Sequence, residues 1–328
     1  MEYRKFGSTD LMVSETGFGA WAIGGDAMIG NTAIGWGPAD DATSVEAIEA
    51  ALDAGINFFD TADIYGLGHS EELLGKALFN RDVIIATKAG NVSRNNEFTV
   101  DYTKEYIVKA CEESLRRLKR SSIDYYQLHT ARLKHLENEE CIEAMQTLQQ
   151  QGKVRYWGIS LNTFAPQPEA EYFMKNDLGN GFQLVLNIIN QKAIGLIKQA
   201  GAKGYGIIAR MPLQFGLLTG KFSANTKFEA TDHRHNRLTP EVIKEVSDAL
   251  EPIWMLCHKY NISKTQLALS YVLSYEEVST VIPGIRTKEH VAANTSNLVQ
   301  LEADDRRLIE SYGATKFDSL MNLIERQG

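Results

Sequence analysis

Asp60, Tyr65, Lys88 and His129 are side chains whose types together could deliver a proton to a carbonyl oxygen. A phenol with a pKa near ~10 is a poor acid at neutral pH unless something stabilises its anion. An ammonium nearby does that, and a carboxylate keeps the ammonium charged and oriented. An imidazole beside the phenol can steer the carbonyl oxygen or join the proton relay. None of the four is an evident nucleophile, and one His with one Asp makes a poor metal site. The expected chemistry is therefore metal-free proton delivery while another species attacks the carbon. Taken singly, each could equally be an ordinary polar residue at the end of a strand.

The surrounding pattern makes them a set. Asn57 to Phe59 read as the last residues of a short buried strand, with Asp60 at its tip and Tyr65 in the turn that follows. From Ser70 to Leu78 the apolar spacing turns helical, with Ser70 and Glu71 fit to open the helix. Val83 to Thr87 is an apolar strand ending on Lys88, and Ile123 to Leu128 is another ending on His129. Further strands are expected at Thr16 to Trp21, Val154 to Ile159 (ending on Ser160), 182–188, Tyr205 to Ala209 (ending on Arg210) and Thr280 to Ile282. Helices are expected at 42–54 (capped by Asp41 or Thr43), 103–118, 139–150, 168–175, 191–200, 240–259, 263–274 and from Thr287. A hairpin over residues 2–14, turning at Gly7 to Asp10, precedes them.

Apolar strands alternating with amphipathic helices predict a parallel sheet covered by helices. Eight strand–helix units favour closure into a (β/α)8 TIM barrel, with its chemistry at the C-terminal strand tips, where the four residues converge. An open doubly wound sheet is disfavoured, because no G-x-G-x-x-G follows the first strand. Residues 1–328 read as one domain, without repeat, low-complexity tract or linker. The long segments 22–41 and 214–239 are expected to be functional loops, and the tail 313–328 could return over the barrel mouth through Phe317, Leu320 and Ile324.

At these residues the sequence resembles the aldo-keto reductase family. Phe59-Asp60-Thr61-Ala62 to Tyr65-Gly66, with Ser70-Glu71-Glu72 and Gly75 behind, looks like its first signature; Ile84 to Lys88 and Asp124 to His129 look like the next two. The resemblance runs from the hairpin to about residue 300. It implies a barrel that reduces an aldehyde or ketone to an alcohol, or runs the reverse, with NADPH. It also implies roles: Tyr65 as general acid–base, Lys88 and Asp60 tuning it, and His129 orienting the substrate oxygen.

The resemblance extends to the cofactor side. Gly152 to Ser160 is similar to the stretch whose serine and following asparagine hold the nicotinamide carboxamide; here Leu161 takes the asparagine position and Asn162 comes one later. Gln183 matches the other carboxamide ligand, and Arg210 marks a bacterial-type subgroup in which arginine replaces the aromatic that stacks on the nicotinamide. Met211, Leu213, Gly216 and Lys221 belong to a glycine-bearing loop suited to a pyrophosphate. Gly284, Arg286, His290 and Asn294 fall in the adenosine-side motif. There Thr287 is expected to cap a helix, and Arg286, with His290, is the candidate clamp for the 2′-phosphate that separates NADPH from NADH.

Trp21 and Trp36 are expected to wall the substrate end. His233 and His235 read as part of a solvated basic loop rather than a metal pair, and no anion-binding feature of the sequence belongs specifically to a substrate. A net charge of −8 argues against general binding of nucleic acid or anionic membrane. Cys111, Cys141 and Cys257 read as buried thiols of a reducing compartment. The start Met1-Glu2-Tyr3-Arg4-Lys5 leads into no apolar core and no run is long enough to span a membrane, so a cytoplasmic protein is expected, as monomer or homo-oligomer. Two rival readings stand beside the reductase: an NADPH-binding regulatory subunit like the family's channel-associated members, and a lyase or isomerase using Lys88 as a Schiff-base amine.

Overall fold

Alternation along Phe58, Phe59 and Asp60 shows how the sheet is built. Phe58 points into an inner cluster with Ala86, Tyr125 and Ile208, whereas Phe59 packs outward beneath the helices. The computed structural model describes residues 1–326. Its main sheet has eight strands in chain order: β1 (Phe18–Gly19), β2 (Phe58–Asp60), β3 (Ile84–Ala89), β4 (Ile123–His129), β5 (Val154–Ser160), β6 (Gly181–Val185), β7 (Gly206–Arg210) and β8 (Thr280–Ile282). Every pairing between neighbours is parallel. Parallel bridges Thr16–Val281 and Gly19–Gly284 join the first strand to the last, so the sheet closes into a (β/α)8 barrel.

Helices α1 (Asp41–Asp53), α2 (His69–Ala77), α3 (Lys104–Leu118), α4 (Glu140–Gln150), α5 (Gln167–Lys175) and α6 (Ile194–Ala202) follow the first six strands. Both α7 (Pro240–Tyr260) and α8 (Lys264–Leu273) follow β7, and α9 (Lys288–Thr295) follows β8. The tail forms α10 (Ala303–Tyr312) and α11 (Asp318–Arg326), with Phe317, Leu320 and Ile324 buried; residues 327 and 328 lie outside the described residues. Ile324 reaches the pocket described below. Among the described residues, no helix is long and apolar enough to cross a membrane.

The N-terminal hairpin (Tyr3–Lys5 paired with Met12–Ser14) stoppers the end of the barrel opposite the site. Phe6, fully buried, lies edge-on to Tyr125 with ring centroids 4.8 Å apart. Room for it exists because β6 and β7 open on glycine: a Cβ on Gly206 would lie 2.6 Å from the Phe6 ring, and one on Gly181 2.7 Å. Phe6→Leu is expected to lower stability by about 1–2 kcal/mol, since the smaller side chain leaves part of this plug unfilled. Urea unfolding checks it, and an unchanged midpoint would show that the hairpin packs only loosely.

Several sequence expectations shift. The first strand ends at Gly19, because Ala20–Gly24 coils into a 3-10 turn that carries Trp21 out of the sheet. The sixth ends at Val185 rather than 188: the Asn187 side chain accepts from the backbone N–H of Ile189 and Asn190, turning an apolar run out of line. Asp40 rather than Asp41 or Thr43 caps α1, accepting from Thr43 N at 2.7 Å. Ser70 lies inside α2 and its hydroxyl goes to Ala20 O and Thr61, while Thr287 precedes α9 without a side-chain cap bond. Asn91–Arg94 and Glu97–Val100 form a hairpin the sequence reading lacked; Asn95-Asn96, both at positive φ, was its available signal. The three cysteines are free, with Cys257 half-buried and the other two buried.

Candidate active site

Inward-facing positions at the strand tips bring the four residues together. Asp60 ends β2, Lys88 faces inward from β3, and His129 ends β4. Lys88 is fully buried beneath the pocket floor. Its ammonium donates to Asp60 Oδ1 at 2.6 Å, to the Thr61 carbonyl at 2.7 Å and to the Tyr65 hydroxyl at 3.3 Å. An ammonium has three N–H donors, so all of Lys88's are committed. Gln183 and Gln127 hold the other Asp60 oxygen, at 2.7 and 3.2 Å. Tyr65 leads a short turn in which Gly66 and Leu67 adopt positive φ. At Gly66 a Cβ would lie 2.2 Å from Gly24 O, so the loops carrying Trp21 and Tyr65 touch there backbone to backbone. Trp21 meets the Tyr65 ring edge-on at 4.7 Å, and the His129 ring lies 6.0 Å away.

The electrostatics refine the sequence reading. Burial pushes the Tyr65 hydroxyl above the ordinary phenol value, with Lys88 opposing and Asp60 adding to the rise. The cation pulls in the expected direction, but burial outweighs it. Burial pulls Lys88 down, yet the Asp60 carboxylate and the Tyr65 hydroxyl more than offset it, so the ammonium stays protonated. Burial, then the cations Lys88 and Arg210, hold His129 well below the usual imidazole range, so it is neutral at pH 7. His129 Nδ1 is enclosed without a partner among the described residues. A bare lone pair is less costly there than an orphaned N–H, which places the proton on Nε2, free to donate into the pocket.

A charged, triply bonded Lys88 below the floor is not an amine poised to attack a carbonyl. The geometry opposes the Schiff-base rival.

A cavity of about 540 Å³ opens over this floor. Ser160, Gln183, Arg210, Met211, Leu213, Gly216, Lys221, Gly284, Arg286, His290 and Asn294 all line it, as do Trp21 and Trp36. Asn162 is not brought to the wall: its side-chain oxygen accepts from Phe164 N and Ala165 N, closing a turn, and Thr163 lines the cavity instead. The Gln183 amide is shared, its nitrogen on Asp60 and its oxygen 3.4 Å from Ser160 Oγ. Arg210 crosses to Leu161 O at 2.9 Å and Thr163 Oγ1 at 3.2 Å, with Nε enclosed and unpartnered among the described residues. After β7, Met211 and the run Gln214-Phe215-Gly216 have positive φ, a tight loop of backbone amides that reaches Lys221. Trp36 packs on Gly284, and its carbonyl accepts from Arg286 Nη1 at 3.0 Å, which places it toward α9 rather than beside Tyr65.

The 214–239 loop walls the cavity, in keeping with the functional role expected of it. His235 is exposed, but the stretch around Asp232 and Arg234 is packed rather than solvated. Asp232 is buried and takes Arg234, whose guanidinium lies over the rings of Trp36, Phe222 and Phe228 at 4.9–5.9 Å. His233 Nδ1 donates to Ala33 O, and His235 Nδ1 bonds Phe228 O, so the two do not face one another. His233, Arg234 and Arg237 line the cavity, and sequence reasoning missed all three. The spacing Phe222…Phe228…Asp232-x-Arg234 was the available signal for an ordered loop.

These residues fit an elongated phosphate-bearing cofactor. The amide-rich loop, Lys221 and Arg286 suit phosphates, and Ser160 and Gln183 offer the donors and acceptors that a carboxamide needs. Comparison with known proteins gives the same class. Residues 15–313 match the family model for the aldo/keto reductase family. The chain is 33% identical to aldo-keto reductase YhdN of Bacillus subtilis, over 87% of this chain and 85% of that one. It is similar in structure to a glycerol dehydrogenase of Gluconobacter oxydans (TM-score 0.79, 29% identity, 96% and 95% of the two chains). It is also similar to the holo form of an aldo-keto reductase of Bacillus halodurans (TM-score 0.77, 28% identity, 95% and 96%).

Proposed function

The chain belongs to the aldo/keto reductase family, an NAD(P)H-dependent oxidoreductase, and on that premise we propose that it reduces an aldehyde or ketone with NADPH, Tyr65 serving as the acid. The observation that carries the reading is the Asp60–Lys88–Tyr65 chain, at 2.6 and 3.3 Å, ending on the cavity floor. When bound, the reduced nicotinamide supplies a hydride for the carbonyl carbon. His129, neutral, donates from Nε2 to the carbonyl oxygen and orients it. Tyr65 gives its proton to that oxygen as negative charge builds there. The tyrosinate left behind is stabilised by the Lys88 ammonium, which Asp60 keeps charged. In the reverse direction the tyrosinate takes the alcohol proton. Ser160 and Gln183 would hold the carboxamide, and Arg210, in place of the family's stacking aromatic, would lie flat against the nicotinamide.

Preference for NADPH rests on Arg286, beside the N-terminus of α9 with His290 and Lys221 close by. A panel of aldehydes and ketones, run with NADPH and with NADH while following nicotinamide absorbance, tests the reaction. No reduction of any carbonyl would end the proposal. In the same assay Arg286→Ala is expected to raise the NADPH KM by roughly ten- to hundred-fold and to change that for NADH little, since a charge-assisted bond to a phosphate is lost. Equal effects on both cofactors would move the 2′-phosphate clamp elsewhere.

A further inference from the structure

The guanidiniums on the cavity wall differ in what holds them. Arg210 donates to Leu161 O and Thr163, Arg234 grips Asp232, and Arg286 donates to the Trp36 carbonyl. Arg237 has no hydrogen-bond or ion-pair partner among the described residues; its head lies 5.8 Å over the Phe215 ring. Burial pulls it below the ordinary guanidinium value, and no carboxylate beside it pulls back. Asp60 is the single carboxylate among the described lining residues, and Lys88 holds it. A partly buried cation without a counter-ion is costly, and facing a cavity it marks a place for a ligand's anion.

Position tells which ligand. Lys221, Arg286 and Arg234 gather their charge around His290, at the α9 end, and Arg237 is not among them. Its charge, together with that of Arg234, is felt by His233. The His233 ring lies 5.8 Å from Phe215 and 5.8 Å from Trp21, and Trp21 packs on Tyr65. The contacts Arg237–Phe215–His233–Trp21 put Arg237 between the loop after β7 and the Trp21 side of the cavity, from which, on the proposed reading, the carbonyl compound reaches Tyr65. His233 donates Nδ1–H to Ala33 O, and being neutral it keeps Nε2 as an acceptor.

We propose that Arg237 binds a carboxylate or phosphate monoester on the substrate, remote from its carbonyl, with His233 accepting from a neighbouring substrate hydroxyl. The preferred substrates are then anionic aldehydes or ketones, a specificity that rests on the carbonyl-reductase reading. The test compares kcat/KM for matched pairs: erythrose 4-phosphate against erythrose, and succinic semialdehyde against butanal. It uses wild type, Arg237→Met and Arg237→Lys, with NADPH affinity from fluorescence titration and folding from thermal melts. The charged partner of at least one pair should be favoured roughly ten- to hundred-fold in the wild type. The pair that responds distinguishes phosphate from carboxylate. Arg237→Met should erase that ratio, Arg237→Lys should keep part of it, and the NADPH Kd should stay within about twofold. No charge preference in the wild type, or a ratio untouched by Arg237→Met, overturns the proposal. So does a tenfold loss of NADPH affinity, which would give Arg237 to the cofactor. Should no carbonyl be reduced, the NADP+-loaded protein is titrated with glycerol 3-phosphate, succinate and glycerol. Binding of either anion that Arg237→Met abolishes still supports the subsite, and no anion binding refutes it.

Discussion

Tyr65→Phe is expected to lower kcat by about 10²–10⁴-fold, the range lost with a positioned general acid, while the NADPH Kd changes by less than about twofold. The separation follows from contacts. The hydroxyl has one hydrogen-bond partner among the described side chains, Lys88, while the ring packs on Trp21 and stays when the oxygen goes. Single-turnover kinetics at saturating NADPH isolates the chemical step, and fluorescence titration gives the affinity. A variant that keeps a tenth of its turnover would remove Tyr65 from the role of acid. The wild-type pH profile supplies a second check. Burial raises the Tyr65 hydroxyl above its ordinary value, so the protonated donor is populated across neutral pH and is lost only as pH climbs past the phenol range near ~10. Reduction should be flat through neutrality and fall on the alkaline side, whereas alcohol oxidation, which needs the deprotonated oxygen, should rise there. His129 is already neutral and should add no inflection near an ordinary imidazole pKa. A limb at that position would mean that its protonation matters.

The strand tips were legible because burial and alternation are written locally. An apolar run fixes a strand, its period of two fixes which residues face in, and the first polar residue after it marks the tip. Asp60, Lys88, His129, Ser160 and Arg210 were all readable this way, whereas Gln183, inside its strand, was singled out only by the family resemblance; the structure sets all six side chains around one end of the barrel. What depended on distant partners was not readable. Arg234 looked solvated because nothing near it in sequence announces Trp36, which meets its loop through a bridge to Asp232. Trp21 was given to a strand because only Ser70, far along the chain, shows that the Ala20 carbonyl leaves the sheet. The direction of the Tyr65 shift was misjudged for a related reason. Residue types gave the sign of the Lys88 contribution, but the depth of burial that outweighs it is a property of the folded cavity.

Lys88 is bound up with both folding and chemistry, and a double replacement separates the two. Lys88→Met leaves the Asp60 carboxylate buried with only the Gln127 and Gln183 amides as side-chain partners. Removing one partner of a buried pair typically costs about 3–5 kcal/mol, because the remaining charge is uncompensated. The single variant should therefore unfold at much lower urea and lose about 10²–10³-fold in turnover, the scale set by losing a preorganised charge beside the reacting group. Replacing both, as Lys88→Met with Asp60→Asn, removes the stranded charge: an amide in that place can still bond to Gln127 and Gln183. Most of the stability should return. Turnover should not, because proton donation leaves a tyrosinate, and burial opposes that anion unless the ammonium stands beside it. Stability and activity are thus expected to part company in the double variant, read by urea melts and single-turnover rates on the same preparations. If the rate recovers together with the melting midpoint, Lys88 serves only to neutralise Asp60, and the source of Tyr65's proton-transfer power must be sought in another group on the cavity floor.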